Sequence, residues 1–203
     1  MPLRTENELS EPLRGHWRKA VAAIELRNFG YAISLLQEIL KQEPEFLQGR
    51  QLLRRTAITR QKAGQKSFFK ISISVLTVLK ARRQLRKDPK RAIEILEKVL
   101  AEEPSNRQAN LILKEAAVAA GWPEIGVFAL QTVLEENPSD TEVLHELGRL
   151  YHELGESDKE ADVYNRISEI DPTDAESVRL GRDAAARSSM KTGGWGSVPD
   201  PGE

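Results

Sequence analysis

Two histidines, His145 and His152, stand seven residues apart among Glu142, Glu146 and Glu153, and imidazoles beside carboxylates are the raw material of a metal or acid–base site. The spacing argues against a metal. A zinc-binding helix places its second His four residues after the first, and position 149 holds Arg. Seven helical residues separate the rings by about 10.5 Å of rise, too far for one ion. The bland reading, polar residues on an exposed helix face, is favoured, and such a face would be acidic and pH-sensitive. With no Cys in the chain, thiolate metal sites, cysteine nucleophiles and disulfides are excluded. No Gly-rich phosphate loop, nucleophile elbow or paired-carboxylate constellation occurs. The chain therefore reads as non-enzymatic, with no catalytic residue, metal or cofactor expected.

A second chemistry lies in the cations. Residues 50–91 contain 14 Lys and Arg and a single acid, Asp88. The candidate basic surface comprises Arg50, Arg54, Arg55, Lys62, Lys66, Lys70, Arg82, Arg83, Arg86 and Lys87. Such a surface would bind membrane headgroups, an acidic protein or nucleic acid, and Phe68-Phe69 between basic flanks suits shallow membrane contact. Nucleic acid is the weakest of the three, because stacking aromatics are not interleaved with the cations. A solvated face that pairs with its own acidic neighbours is the competing reading. The charge is also sorted along the chain: residues 1–100 hold 21 Lys and Arg against 10 Asp and Glu, and the remainder 9 against 21. Near-neutrality overall (−1) hides halves of +11 and −12, which admits head-to-tail self-association.

The elements that must position these residues follow from the prolines. Pro104, Pro138 and Pro172 are 34 residues apart, and Pro89 and Pro123 repeat that interval. The first series follows leucine-rich helical segments and ends them, whereas the second sits at helix starts, where a missing N–H costs nothing. One period holds two helices. Ile93, Leu96, Val99 and Leu100 recur at helical spacing, as do Val127, Leu130, Val133 and Leu134 one period later. In the segment Leu144-His-Glu-Leu147-Gly148-Arg-Leu-Tyr151, Gly148 lets two helices approach closely, and Gly155 closes the helix.

This pattern resembles the tetratricopeptide repeat family, whose units show Leu-Gly, Tyr, a small residue, an aromatic or Leu, and a closing Pro. The match is strongest over 141–172 through Leu147-Gly148, Tyr151, Tyr164, Ile167 and Pro172. Weaker units cover 107–140 and 73–106, and Ala32, Leu36, Ile39 and Pro44 repeat the spacing of Ala92 to Pro104. The resemblance implies an all-α, right-handed tetratricopeptide-like superhelix, a helical repeat solenoid of about ten helices. Its expected organisation is a flexible N-terminus 1–12, one solenoid over 13–189, and a flexible Gly/Pro-rich tail 190–203. Within the solenoid, units fall at 13–46, an irregular 47–72, 73–106, 107–140 and 141–174, with an end helix at 175–189. The irregularity is arithmetic: Pro44 and Pro104 are 60 apart, eight short of two periods. Residues 46–62 and 67–87 read as long helices, although the alternation at 71–75 also suits a strand.

The resemblance further implies a protein-interaction adaptor that holds a partner's peptide or helix in a concave groove. Position within the repeat marks Gln108, Leu111, Ile112, Glu115, Glu142, His145, Glu146, Arg149 and His152 for that groove. Recruitment to an anionic surface through 50–91 is the alternative. The longest apolar stretch, Phe68 to Leu79, is interrupted by Lys70, Ser72, Ser74 and Thr77 and is too short to span a bilayer. With no secretory signal in the first residues and no Cys, the expected location is cytoplasmic.

Overall fold

The structure is a computed structural model describing residues 3–64 and 71–192, apart from the side chains of 71–74 and 192. Lys66, Lys70, Phe68, Phe69 and the expected tail from Gly193 onward lie outside the described residues. The described chain holds ten α-helices and no strand. They are α1 Glu11–Glu25, α2 Phe29–Gln42, α3 Leu47–Lys62, α4 Ile71–Leu85, α5 Pro89–Leu100, α6 Arg107–Ala119, α7 Pro123–Glu136, α8 Thr141–Glu153, α9 Ser157–Ile170 and α10 Ala175–Thr192. The ambiguous alternation at 71–75 is helical. Among the described residues no helix is long and apolar enough to cross a membrane.

Local chemistry explains the boundaries. Pro89 and Pro123 open α5 and α7, and Pro44, Pro104, Pro138 and Pro172 follow the ends of α2, α5, α7 and α9. Side chains of Asp88, Asn106 and Asp140 cap α5, α6 and α8 by accepting from the backbone N–H of Arg91, Ala109 and Val143 at 3.0, 2.9 and 3.1 Å. The turns after α1, α6 and α8 share one backbone shape. Arg27, Gly121 and Gly155 take positive φ of 58°, 81° and 68°. The next N–H then reaches back five residues, Asn28 to Ala23 O and Trp122 to Ala117 O at 2.8 Å, and Glu156 to Tyr151 O at 2.9 Å.

The helices gather into two compact units, Met1–Val133 and Leu134–Glu203. In the first, α1 packs on α2, α2 on α3 and α5, and α4, α5 and α6 on one another. Its interior is aliphatic, with Trp122 and Phe46 among the largest fully buried side chains. In the second, α9 packs between α8 and α10. There a Cβ on Gly148 would meet Tyr164 Cζ at 2.8 Å, so the backbone of α8 runs against the tyrosine ring. The close approach that the Leu-Gly pair anticipates is present.

The N-terminal segment departs from expectation. Instead of a free extension, residues 3–12 are anchored: Leu9 is buried, Thr5 and Glu8 form a capping box, and Arg4 pairs with Glu43 and Glu45 at 3.0 and 3.1 Å. Leu9 and Leu13 complete the α1–α3 core, whose apolar face would otherwise lack a cover.

Candidate binding surfaces

The expected basic surface divides on folding. Arg50 and Arg54 are 0% and 1% exposed, so neither belongs to an accessible surface. Their helix, α3, turns them toward Glu97 of α5. Arg50 Nη1 donates to Glu97 Oε1, Arg50 Nη2 donates to Pro44 O at 2.6 Å, and Arg54 Nη2 lies 3.6 Å from the same Glu97 oxygen. Arg60 is bound likewise, to Ala101 O at 2.9 Å and Glu102 Oε2 at 2.8 Å. Burial, opposed by Glu97, pushes the Arg54 guanidinium down to about 10. None of its nitrogens has a hydrogen-bond partner, and the Phe128 ring lies 6.0 Å from its Cζ. Arg55 and Lys62 on α3, and Arg82, Arg83, Arg86 and Lys87 on and just after α4, remain exposed.

Glu97 was hidden in plain sight. It lies four residues after Ile93 on the apolar stripe of α5, where a carboxylate needs a buried partner. A cleft of ≈ 680 Å³ between α2 and α5 was not anticipated; Leu40, Ile93 and Val99 contribute its apolar lining, and Glu38, Lys41, Glu94 and Lys98 its charge.

The groove positions behave differently in the two units. On α6, Gln108 and Glu115 are exposed and Leu111 half-buried. Ile112, however, is wholly buried among its neighbours in the α4–α7 core and cannot contact a partner. On α8, Glu142, Arg149 and His152 are exposed, and Glu146 pairs with Arg149 at 3.1 Å.

Residues 115–175, from the end of α6 through α7, α8 and α9, match the tetratricopeptide repeat family. Over these residues the chain carries tetratricopeptide repeat sequence. No curated protein matches the sequence. Among solved structures, a point mutant of MamA is 16% identical, with 90% of this chain and 91% of that one covered at a TM-score of 0.47. A thermophilic tetratricopeptide repeat protein of Thermus thermophilus is 16% identical over 86% of this chain and 99% of that one, TM-score 0.43. One from Parabacteroides merdae is 16% identical over 92% and 62%, TM-score 0.41.

Within the tetratricopeptide unit of α8 and α9, both histidines are held by the chain's own carboxylates. His145 Nε2 lies 2.9 Å from Asp174 Oδ2, and its ring meets Tyr164 edge-on at 6.0 Å. His152 Nδ1 lies 3.1 Å from Glu160 Oε1, and Arg187 Nη2 of α10 donates to both oxygens of that buried carboxylate at 2.8 Å. Two hydrogen bonds from Ser177 hold the Asp174 carboxyl below the usual carboxylate range, with His145 adding to the effect. Burial raises the Tyr164 phenol above its ordinary value. Each imidazole thus ties a repeat helix to its neighbours. Among the described residues, no three His, Asp or Glu side chains converge as a metal ion requires.

Proposed function

We propose that this protein is a non-catalytic adaptor that holds a peptide or helix of a protein partner against the first helices of its repeats. The supporting observation is periodic exposure. Gln108, Glu115 and Val118 on α6 are exposed, and so are their equivalents one period on, Glu142, Arg149 and His152 on α8, while the positions between them are largely buried. A helical repeat hides its core positions and repeats its display positions, so each unit presents a first-helix face of its own to a partner. Leu111 adds a half-buried apolar contact, and Glu146 and His145 a polar margin. Partner specificity then comes from Glu115, Glu142 and Arg149, charged side chains whose removal leaves the core intact.

The test is affinity purification with mass spectrometry on the wild type and a Gln108→Lys/Glu115→Lys/Glu142→Lys/Arg149→Glu variant. Partners recovered by the wild type and lost by the variant are the expected result. An unchanged set of partners would remove the groove reading.

A further inference from the structure

Repeat register exposes an anomaly on α4. On α6, positions Ala109, Asn110, Leu113, Ala116 and Ala117 are all buried, and so are Val143, Leu144, Leu147, Leu150 and Tyr151 one period later on α8. The equivalents one period earlier are Val75, Leu76, Leu79, Arg82 and Arg83 on α4. Val75, Leu76 and Leu79 are 60%, 71% and 50% exposed, and both arginines are exposed too. Of α4, Val78 and Ala81 face inward. A helix face that is covered on α6 and α8 is open here.

The missing eight residues explain it. After α3 only residues 63–70 precede α4, too few for a second helix of the 12 to 18 residues seen elsewhere. Among the described residues the helices that pack most closely on α4 are α5 and α6, and the shortened interval leaves the repeat pattern no full-length helix for the preceding side. At 100° per residue, Val75, Leu79, Arg82, Arg83 and Arg86 fall within about 100° of one another, and Leu76 borders them. Along the axis the apolar side chains come first, and the guanidiniums follow over about the next two turns. Among the described residues none of Arg82, Arg83, Arg86 and Lys87 forms an ion pair.

We infer that this open face of α4 docks an amphipathic helix of a protein partner, apolar over Val75, Leu76 and Leu79 and acidic over Arg82, Arg83 and Arg86. A helix fits because these register positions are the ones buried in helix–helix packing on α6 and α8. Carboxylates are required because Arg82 and Arg83 stand where α6 carries Ala116 and Ala117, and an apolar occupant would leave two guanidiniums buried without counterions. A lipid surface suits the face less well. Membrane-surface helices carry their cations on the flanks of the apolar sector, whereas Arg83 and Arg86 lie within it. A second copy docked through the same face is also a poor match, because residues 71–87 hold no Asp or Glu to pair with Arg82, Arg83 and Arg86.

The probe is a labelled helical peptide of about five turns, with Leu at i, i+1 and i+4 and Glu at i+7, i+8 and i+11. It is made in both orders along its axis and followed by fluorescence anisotropy on the full chain. One order is expected to bind, and the Lys-for-Glu peptide is not. Leu76→Ser/Leu79→Ser and Arg82→Glu/Arg83→Glu should each weaken binding about tenfold or more, with unfolding midpoints close to wild type because all four side chains are exposed. The Glu115→Lys/Arg149→Glu variant should leave it unchanged, which separates this face from the groove. Absence of binding, or equal binding by the variants, overturns the inference. So does co-sedimentation with phosphatidylserine vesicles that the same substitutions abolish, which assigns the face to lipid. A dimer in sedimentation velocity that they abolish would assign it to a second copy.

Discussion

Glu97 carries one full negative charge into a site where Arg50 and Arg54 bring two positive ones, all within the first unit's interior. Removing the carboxylate strands both guanidiniums, so Glu97→Ala is expected to cost about 3–5 kcal/mol in urea unfolding. Arg54 is the opposite case. Because burial lowers its folded value to about 10, below the ordinary guanidinium value, the unfolded chain binds that proton more tightly. The charged side chain therefore destabilises the fold at all pH values below about 10, and the penalty fades only as pH rises from there toward the ordinary guanidinium value. Arg54→Met should consequently be neutral or stabilising at pH 7, where Arg50→Met, which frees Glu97 of its hydrogen-bonded partner, should not. At Gly148 the constraint is steric: Gly148→Ala drives a methyl to within 2.8 Å of the Tyr164 ring and should cost about 1–3 kcal/mol by the same assay. The glycine was legible, because a small residue beside Leu147 and before Tyr151 has a packing meaning in one helix. The ion cluster was not, because Arg50 and Glu97 are 47 residues apart and nothing local couples them.

At the scale of the element, backbone chemistry set the boundaries and so could be read from one-dimensional signals. Pro89 and Pro123 start helices, and Gly121 and Gly155 close them in the left-handed region. Arg27 does the same work with a side chain that strains at φ 58°, so Arg27→Gly should raise stability by about 0.5–1 kcal/mol in thermal melts. The start of α10 is electrostatic. Asp174 accepts from Ser177 N at 3.0 Å and Ser177 Oγ at 2.8 Å, interactions made by its ionised form. Its carboxyl is lowered on folding, so the stability it contributes is present above the ordinary aspartate value of 3.8 and disappears as pH falls through the lower folded value. Urea curves of the wild type and Asp174→Ala should therefore be well separated at pH 6 and draw together as the pH falls below 3.8. The irregular element was legible as a defect in the period; that its consequence is an open face on α4, and not merely a longer loop, required the packing of α4 on α5 and α6.

Across the whole molecule the charges divide more sharply than the total of −1 conveys, with +11 in residues 1–100 and −12 beyond. Each half repels itself, and most of its charges are solvated, where salt screens them over about 8–10 Å. The buried pairing of Arg50 with Glu97 is screened far less. Raising NaCl from about 20 to about 300 mM should therefore increase the thermal midpoint, and a fall would show that surface ion pairs outweigh the repulsion. Sequence alone determined the helical class, the 34-residue period, the capping and terminating residues and the place where the period fails, because each follows from local backbone rules that act within a few residues. Tertiary structure decided which charges are usable. It withdrew Arg50, Arg54 and Ile112 from the expected surfaces and tied His145 and His152 to Asp174 and Glu160. It also left Val75, Leu76 and Leu79 uncovered. Those outcomes depend on which helix lies against which, and on the steep free-energy cost of leaving a charge buried without a partner, neither of which is encoded within any single stretch of chain.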